Sequence, residues 1–391
     1  MKKGWEYRKL GEICDFRSGF AFKSNKFTKI GEPIIRISDI QNEEIDDSNL
    51  VYFDPKSYTE DLSKYLIYPD DILIAMSGGT TGKIGINTSN RTYYLNQRVG
   101  VFRENKKYLN HRYLFYFLHT KAEESLKIAA GAAQPNLSTA QIKSFIIPVS
   151  HLSEQQRIVD YLDSAFAKID AMKANAEKAL NEAKALFQAS LKEMLEPKEG
   201  WDEKALGELS DKIGDGLHGT PKYTDDGEYF FVNGNNLENG VIEIKDNTKR
   251  VNHDEYEKFK LDLNSSTVLL SINGTIGKTA FYNGEPIILG KSACYINVLP
   301  ALLKEYLRYY LVSDGFFNYV KSNSRQATIT NLGLKEIRRM PIPTPSLDEQ
   351  QSIVATLDTL KSKVDRMQEN YDKISQECDA LKQAILRQVF E

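Results

Sequence analysis

One short stretch of the sequence occurs twice. It reads LSEQQRIV at residues 152–159 and returns as LDEQQSIV at residues 347–354, 195 positions further along the chain. Two other blocks return at offsets of 196 and 195 positions: Trp5 with LGEI at 10–13 returns as Trp201 with LGEL at 206–209, and GTTGK at 79–83 returns as GTIGK at 274–278. Three blocks in the same order at nearly one offset indicate a duplication, and the period is far longer than that of a solenoid repeat. The 391 residues are therefore predicted to form two copies of one unit.

A long helix is predicted to follow each repeated stretch. Ser153 with Gln156, and Asp348 with Gln351, fit the capping box that opens a helix. Apolar residues then recur in alternating steps of four and three, which is the spacing of a coiled-coil seam. The seam is predicted to contain Ile158, Leu162, Ile169, Leu186, Ile353, Leu357, Leu360, Val364, Met367, Tyr371, Ile374 and Leu381.

The two helices are expected to pair with each other as an antiparallel coiled coil. The middle of the first helix is rich in alanine, whereas the second carries Met367, Tyr371 and Ile374, so small residues on one helix can receive large residues from the other. A parallel pair would need a connection as long as the coil. A globular module at the far end instead lets its own helix return alongside the first. The alternative is a pair of amphipathic helices that lie on separate cores.

The segments outside the helices mix strand and helix signals. Residues 71–75 (DILIA) and 267–271 (TVLLS) are typical of buried strands, and the aromatic-rich runs at 113–118 and 306–311 predict one helix in each copy. Regular alternation of strand and helix is missing, which favours the α+β class. The predicted organisation is a module at residues 1–150, a helix at 151–196, a second module at 197–345 and a second helix at 346–391.

The composition is that of a globular protein. A hydrophobic content of 41% excludes a disordered chain, and a formal charge of −3 with a pI near 6.1 does not by itself indicate a nucleic-acid or membrane partner. Basic residues nevertheless cluster between Arg91 and Arg112 and between Lys321 and Arg339. Three widely spaced cysteines, a polar N-terminus and the lack of a run of about 18 apolar residues predict a cytoplasmic location without a membrane partner.

The sequence predicts no catalytic set and no metal site. GTIGKT at 274–279 has two residues between its glycines where a nucleotide-binding P-loop has four, and it precedes a strand-like run instead of a helix. EIK at 243–245 resembles part of a metal-dependent nuclease core, but such triplets are frequent by chance. The five histidines lack the ligand spacing of a zinc site. An Asn/Asp-Pro-Pro-aromatic stretch, which an amino-methyltransferase uses to hold its target base, is also missing.

The doubled blocks together resemble the specificity subunit of type I restriction-modification systems. The resemblance is carried by the Trp and LGE block that begins each module, and by Ile-Pro at 147–148 and 342–343 followed by the closing stretches already quoted. It covers essentially the whole chain, and it implies two tandem α+β target recognition domains. Each domain would read one half of a bipartite sequence in double-stranded DNA, and the coiled coil would set the gap between the halves.

The resemblance also implies partners for the chain. Two methyltransferase (modification) subunits would dock on it, and restriction subunits would join in the full complex. S-adenosylmethionine, ATP and Mg²⁺ would belong to those partners, so that the chain itself binds no cofactor and is not an enzyme.

Candidate DNA-contacting residues follow from side-chain chemistry. Lysines on the glycine turns suit phosphate contacts, whereas Arg and Gln or Asn suit guanine and adenine edges. The candidates are Lys83, Gln97, Arg98, Gln134, Asn136, Lys278, Lys291, Arg325 and Gln326. Two other functions stay open: a coiled-coil DNA-binding or scaffold protein outside restriction-modification, and a DNA-modifying enzyme that acts alone.

Overall fold

The structure is a computed structural model that describes residues 4–130, 136–323 and 331–391. The chain divides into two compact units. The first contains the chain up to Ala176 together with Asp372–Glu391, and the second contains Glu177–Tyr371. Each unit therefore combines a β-rich module with part of both long helices.

The module of the first unit contains two sheets and a two-stranded ribbon. Its strands are β1 (Glu6–Lys9), β2 (Cys14–Ser18), β3 (Phe27–Thr28), β4 (Glu32–Ile35), β5 (Ile40–Gln41), β6 (Glu44–Ile45), β7 (Val51–Phe53), β8 (Leu66–Ile67), β9 (Ile72–Ala75), β10 (Ile84–Ile86), β11 (Tyr93–Leu95), β12 (Val99–Glu104) and β13 (Ile146–Val149). Its helices are α1 (Leu10–Ile13), α2 (His111–Thr120), α3 (Ala122–Ala130) and α4 (Thr139–Lys143), and the long helix α5 (Leu152–Leu195) follows. The strand orders are β2-β12-β9-β10-β6-β5, β3-β7-β4-β11-β8 and β1-β13.

The module of the second unit repeats much of this plan. Its strands are β14 (Asp202–Ala205), β15 (Ser210–Asp215), β16 (Tyr229–Val232), β17 (Leu237–Glu238), β18 (Val241–Ile242), β19 (Arg250–Val251), β20 (Thr267–Ser271), β21 (Thr279–Phe281), β22 (Ile287–Leu289), β23 (Ala293–Val298) and β24 (Pro341–Thr344). Its helices are α6 (His253–Phe259), α7 (Lys304–Tyr310), α8 (Asp314–Asn323) and α9 (Leu334–Arg339), followed by the long helix α10 (Leu347–Phe390). The strand orders are β15-β23-β20-β21, β19-β16-β22, β17-β18 and β14-β24.

The central strand of each module is buried on both faces. Successive side chains of a strand point to opposite sides of the sheet. Ile72 and Ile74 of β9 accordingly enter the core shared with α2 and the long helices, whereas Leu73 and Ala75 enter a second core between the sheets. β20 divides its side chains between two cores in the same way. The α+β class predicted from the sequence is confirmed.

The long helices α5 and α10 have 44 residues each and pair in antiparallel orientation, as predicted. In the first unit Lys382 Nζ lies 2.6 Å from Asp170 Oδ1, and Lys173 Nζ lies 3.4 Å from Asp379 Oδ1. In the second unit Lys184 Nζ donates to Gln368 Oε1 over 2.7 Å. The polar contacts lie along the edges of the pair, so the buried stripe between them is apolar.

The buried stripe differs from the predicted seam at two residues. Leu186 is 60% exposed and its neighbour Phe187 only 8%, and Leu381 is 47% exposed beside the half-buried Lys382. The remaining predicted seam residues are buried or half-buried: Ile158, Leu162, Ile169, Ile353, Leu357, Leu360, Val364, Met367, Tyr371 and Ile374. Leu186 and Phe187 are both apolar and lie in an alanine-rich stretch, so the spacing of the seam fits either residue. The assignment of Leu186 to the seam was wrong, since Phe187 is the buried one. The assignment of Leu381 to the seam was also wrong, because its side chain is exposed at the edge of the pair, where the neighbouring Lys382 forms its ion pair with Asp170.

The repeated closing stretch joins each long helix to its module through one fully buried glutamine. Gln155 Oε1 accepts a hydrogen bond from Asn110 N (2.8 Å), and its Nε2 donates to Tyr108 O (2.8 Å) and Ser150 O (2.9 Å). Gln350 repeats the arrangement with the second module. In each unit, a side chain of the long helix thereby satisfies backbone groups of the module that precedes it.

The predicted capping boxes are wrong. Both helices begin at a leucine, Leu152 and Leu347, so that Ser153 and Asp348 lie inside the first turn instead of capping it. The hydroxyl that accepts at the start of the second helix belongs to Ser346, which receives the amide of Glu349 at 3.3 Å. The repetition of the stretch is explained by its buried glutamine more than by capping.

Candidate nucleic-acid interface

Three chain segments meet at one place in the first module and form a common frame. They are the turn between β11 and β12, the residues after β9, and residues 136–137. The Met76 amide donates to Arg98 O (2.8 Å), and the Leu137 amide donates to Met76 O (2.7 Å). Ser77 forms an isolated β-bridge with Asn136.

The second module builds the same frame from equivalent segments. The Ile272 amide donates to Ser292 O (2.9 Å), the Leu332 amide donates to Ile272 O (2.9 Å), and Asn273 bridges Asn331. The turn between β22 and β23 therefore corresponds to that between β11 and β12, with Arg98 at the position of Ser292. The same backbone hydrogen bonds recur in both modules, and in the second module the Asn273 side chain adds a further bond to Lys291 O.

Several predicted DNA-contacting residues lie together on this frame. Gln97 and Arg98 are exposed on the turn of the first module, and Asn136 is exposed beside it. Lys291 is exposed on the equivalent turn of the second module. Gln134, Arg325 and Gln326 lie outside the residues that the structure describes.

The two glycine turns present their lysines differently. Lys83 is exposed at the start of β10, and its ammonium group has no ion-pair partner among the described residues. Lys278 is half-buried and forms an ion pair with Glu238, which neutralises the charge that a phosphate contact would use. A strand follows the turn in both copies, at Ile84–Ile86 and Thr279–Phe281, whereas a P-loop opens a helix.

Some arginines of the basic clusters noted in the sequence form contacts inside the fold. Arg103 forms a bidentate pair with Asp71, with Nη2 at 2.6 Å from Oδ2 and Nε at 2.9 Å from Oδ1, and this contact raises the pKa of Arg103. Arg112 lies 2.7 Å from Asp163, and Arg338 donates to Ile213 O over 2.7 Å. Each of these arginines makes a contact within its own unit, whereas Arg98, Lys291 and Lys83 are exposed.

The cysteines are unsuited to nucleophilic chemistry. Cys14, Cys294 and Cys378 are free and buried. Burial raises the pKa of both Cys14 and Cys294 to about 12, so these thiols stay protonated near neutral pH. Within residues 4–130, 136–323 and 331–391, three or more His, Cys, Asp or Glu side chains do not gather at any point in a way that could hold a metal ion. In the same ranges, the helices are too short or too polar to cross a membrane.

Asp215 and His218 are the site residues that the sequence left unrecognised. Both line a cleft of about 500 Å³ at the frame of the second module, together with Lys291 and Asn331. His218 Nε2 lies 2.6 Å from Asp215 Oδ2. A histidine three residues after an aspartate occurs often in sequences, so the spacing alone carried no signal.

Comparison with known proteins gives a family match over both halves of the chain. The family model described as the type I restriction modification DNA specificity domain matches residues 2–182 and 198–376. The type I restriction enzyme EcoBI specificity subunit of Escherichia coli is 23% identical, with 99% of this chain and 85% of that protein aligned. The putative type I restriction enzyme MjaX specificity subunit of Methanocaldococcus jannaschii is 32% identical over 47% of this chain and 44% of its own length.

Two solved structures share the fold. A chain from a structure that addresses complex assembly and conformational transition of the type I R-M system superposes with a TM-score of 0.75 at 21% identity, covering 99% of this chain and 97% of that one. The HsdS subunit from Thermoanaerobacter tengcongensis superposes with a TM-score of 0.58 at 20% identity and covers 99% and 97%. At these identities the likeness concerns the architecture.

Proposed function

Because the chain belongs to the type I restriction-modification DNA specificity family, we propose that it reads a bipartite sequence in double-stranded DNA, with one half-site for each module. It is a non-catalytic specificity subunit that binds DNA and assembles with modification and restriction subunits. We assign the two recognition domains to residues 1–150 and 197–345, and the two spacer helices to residues 151–196 and 346–391.

The observation that carries this proposal is the frame built twice with different side chains. Gln97 and Arg98 occupy the turn of the first module where Lys291 and Ser292 occupy that of the second. Arginine and lysine pair with guanine, and glutamine pairs with adenine, through the major-groove edge. One backbone geometry with two sets of polar side chains suits two modules that read two different half-sites.

The helix pair supplies a ruler in this proposal. Each helix has 44 residues, which corresponds to about 66 Å at 1.5 Å per residue. Half-sites read from one side of the duplex lie about one helical turn, roughly 34 Å, or a multiple of it apart. A packed helix pair holds a fixed length, whereas a flexible linker would tolerate many gaps.

The partners follow from the same family assignment. Two modification subunits and the restriction subunits bring S-adenosylmethionine, ATP and Mg²⁺, and the complex works in the cytoplasm on cellular DNA. Exposed apolar side chains on the first long helix, Tyr161 (55%) and Met172 (58%), offer docking surface for a modification subunit. Eleven residues, about three helical turns, separate the two side chains, so they lie on one face of the helix.

Co-expression with a type I modification subunit, followed by mapping of methylated adenines, tests the proposal. We expect a two-part motif with a fixed gap. Replacing residues 1–150 by the corresponding module of another specificity subunit should change one half of the motif and leave the other half and the gap unchanged. A change in both halves would contradict the assignment of one half-site to each module. Methyl transfer or cleavage by the purified chain alone would instead favour an enzyme, and a lack of sequence specificity would favour a scaffold.

A further inference from the structure

A cleft in the second module is lined by hydrogen-bond acceptors and a cation. It has a volume of about 500 Å³ and lies where β15 ends, beside the turn between β22 and β23. The charged or ionisable side chains in its lining are Asp215, His218 and Lys291, joined by Asn273 and Asn331. The Asn273 side chain donates to Lys291 O over 2.9 Å, which fixes the backbone from which the lysine extends.

Asp215 fixes the orientation of the His218 ring. The His218 side chain is 73% exposed and that of Asp215 only 27%, with 2.6 Å between Nε2 and Oδ2. A carboxylate accepts, so Nε2 carries a proton in this contact, and Nδ1, which is directed away from Asp215, is an acceptor whenever the ring carries that one proton. An exposed imidazole with one defined acceptor is suited to contact a hydrogen-bond donor on a ligand.

The first module has the same backbone at this place but different side chains. Ser18 pairs with Gly100 as Asp215 pairs with Cys294. The Phe20 amide donates to Leu95 O as the Leu217 amide donates to Leu289 O, at 2.8 and 2.7 Å. One residue further, the position of His218 is taken by Ala21 in the first module.

The third side chain of the cleft differs as well. The Gln97 amide donates to Phe20 O, and the Lys291 amide donates to Leu217 O, so these two residues are equivalent. The first module therefore has Ser18, Ala21 and Gln97 at the three positions where the second module has Asp215, His218 and Lys291, and the backbone geometry is the same. Such an exchange is expected of residues that give each half-site its own sequence.

A carboxylate on a surface that faces DNA is repelled by phosphates, so a phosphate contact does not explain Asp215. An acceptor on this surface is favourable where it meets an amino group of a base, and cytosine N4 is the donor that Asp and Glu accept from in the major groove. Lysine donates to guanine O6 and N7, two adjacent acceptors on the other base of the same pair, whereas thymine offers O4 alone.

Resting on the proposed function, we propose that Asp215, His218 and Lys291 read one G·C pair in the half-site of the second module. His218 Nδ1 accepts from the cytosine amino group, Lys291 Nζ donates to guanine, and Asp215 is a positioning residue that holds the imidazole. Good base contacts discriminate by about tenfold or more, and losing one should relax the motif at a single position.

His218→Ala in the full chain, assembled with a modification subunit, tests the proposal on the motif mapped for the wild type. Affinity is measured for DNA carrying that motif and for duplexes in which each position is replaced singly. We expect preference at one G·C position of the second half-site to fall about tenfold, with the first half-site and the gap unchanged. Asp215→Asn should weaken the preference at the same position. His253→Ala, at an exposed histidine of the same unit outside the cleft, is the matched control and should behave as the wild type.

Several outcomes would overturn the proposal. They are a His218→Ala profile equal to that of His253→Ala, relaxation at an A·T pair or in the first half-site, and an affinity loss that is uniform across all duplexes. A uniform loss would indicate a phosphate contact. If the wild-type complex methylates no two-part motif, the proposed function fails and this proposal fails with it. If the wild-type motif is bipartite and the variants leave it unchanged, this proposal alone is rejected.

Discussion

Replacing Gln350 by alanine should weaken the attachment of the second long helix to its module. The fully buried side chain makes three hydrogen bonds: it accepts from Leu303 N (2.9 Å) and donates to Pro345 O (3.0 Å) and Ala301 O (3.1 Å). Alanine cannot make any of them. The variant should therefore destabilise the second unit without touching its apolar core.

The loss in the free energy of unfolding depends on whether each backbone group finds a new hydrogen-bond partner once the glutamine side chain is removed. A hydrogen bond contributes about 1 kcal/mol net, and a buried group left without a partner costs about 1–3 kcal/mol. Pro345 is buried, so its carbonyl loses its partner without gaining water, whereas Ala301 is exposed and its carbonyl can be hydrated. The expected loss in the free energy of unfolding is about 3 kcal/mol.

Urea unfolding of the full chain in a Trp5→Phe background provides the assay. Trp201 then remains as the single tryptophan and reports on the second unit, where it is half-buried and donates to Glu349. With a denaturant slope of roughly 2 kcal/mol/M, the midpoint should fall by about 1.5 M. Gln351→Ala, at the exposed neighbour, should change the free energy of unfolding by less than about 0.5 kcal/mol. Equal midpoint shifts for the two variants would refute the role given to the buried glutamine.

Two further predictions concern the long helices. Phe187→Ala should lower the free energy of unfolding by about 3 kcal/mol, because Phe187 is 8% exposed in the core, whereas Leu186→Ala at a 60% exposed site should cost less than about 0.5 kcal/mol. Equal losses in thermal or urea unfolding would contradict the corrected stripe. Deletion of residues 173–179 together with 373–379 removes one paired heptad, about 10.5 Å of helix, and should shorten the gap in the methylated motif by about three base pairs. An unchanged gap would reject the ruler.

The duplication could be predicted from the sequence because the repeated residues have the same structural task in both copies. Gln155 and Gln350 are the clearest case, since each bonds the same three backbone positions of its module. The antiparallel helix pair also followed from the sequence, through the length of connection that a parallel pair would need. The role of the two glutamines could not be predicted, because a single buried glutamine leaves no periodic pattern in the sequence. The same stretch also fits a helix capping box, which the structure does not form.

What the sequence could not provide depends on contacts between distant residues. Lys278 has the same place on its glycine turn as Lys83, yet Glu238, 40 residues away, neutralises it. Leu186 and Phe187 are both apolar, and only packing in the second unit decides which is buried. Asp215 and His218 can be recognised as part of a candidate site only because Lys291, which is distant from both in the sequence, lines the same cleft.

The frame also accounts for how one fold could serve the two half-sites of the proposed function. A glycine beside the cleft approaches a carbonyl too closely for any side chain: a Cβ at Gly19 would lie 2.1 Å from Leu95 O, and one at Gly216 would lie 2.2 Å from Leu289 O. The steric requirement therefore fixes the glycine in both copies, while the flanking positions carry Ser18 in one and Asp215 in the other. Because the same backbone hydrogen bonds and one glycine recur in both modules, exchange of the side chains of Asp215, His218 and Lys291 need not disturb the core. Under the proposed function, a module built in this way would acquire a new half-site by substitution at a few exposed positions, and each half of the bipartite target would change separately.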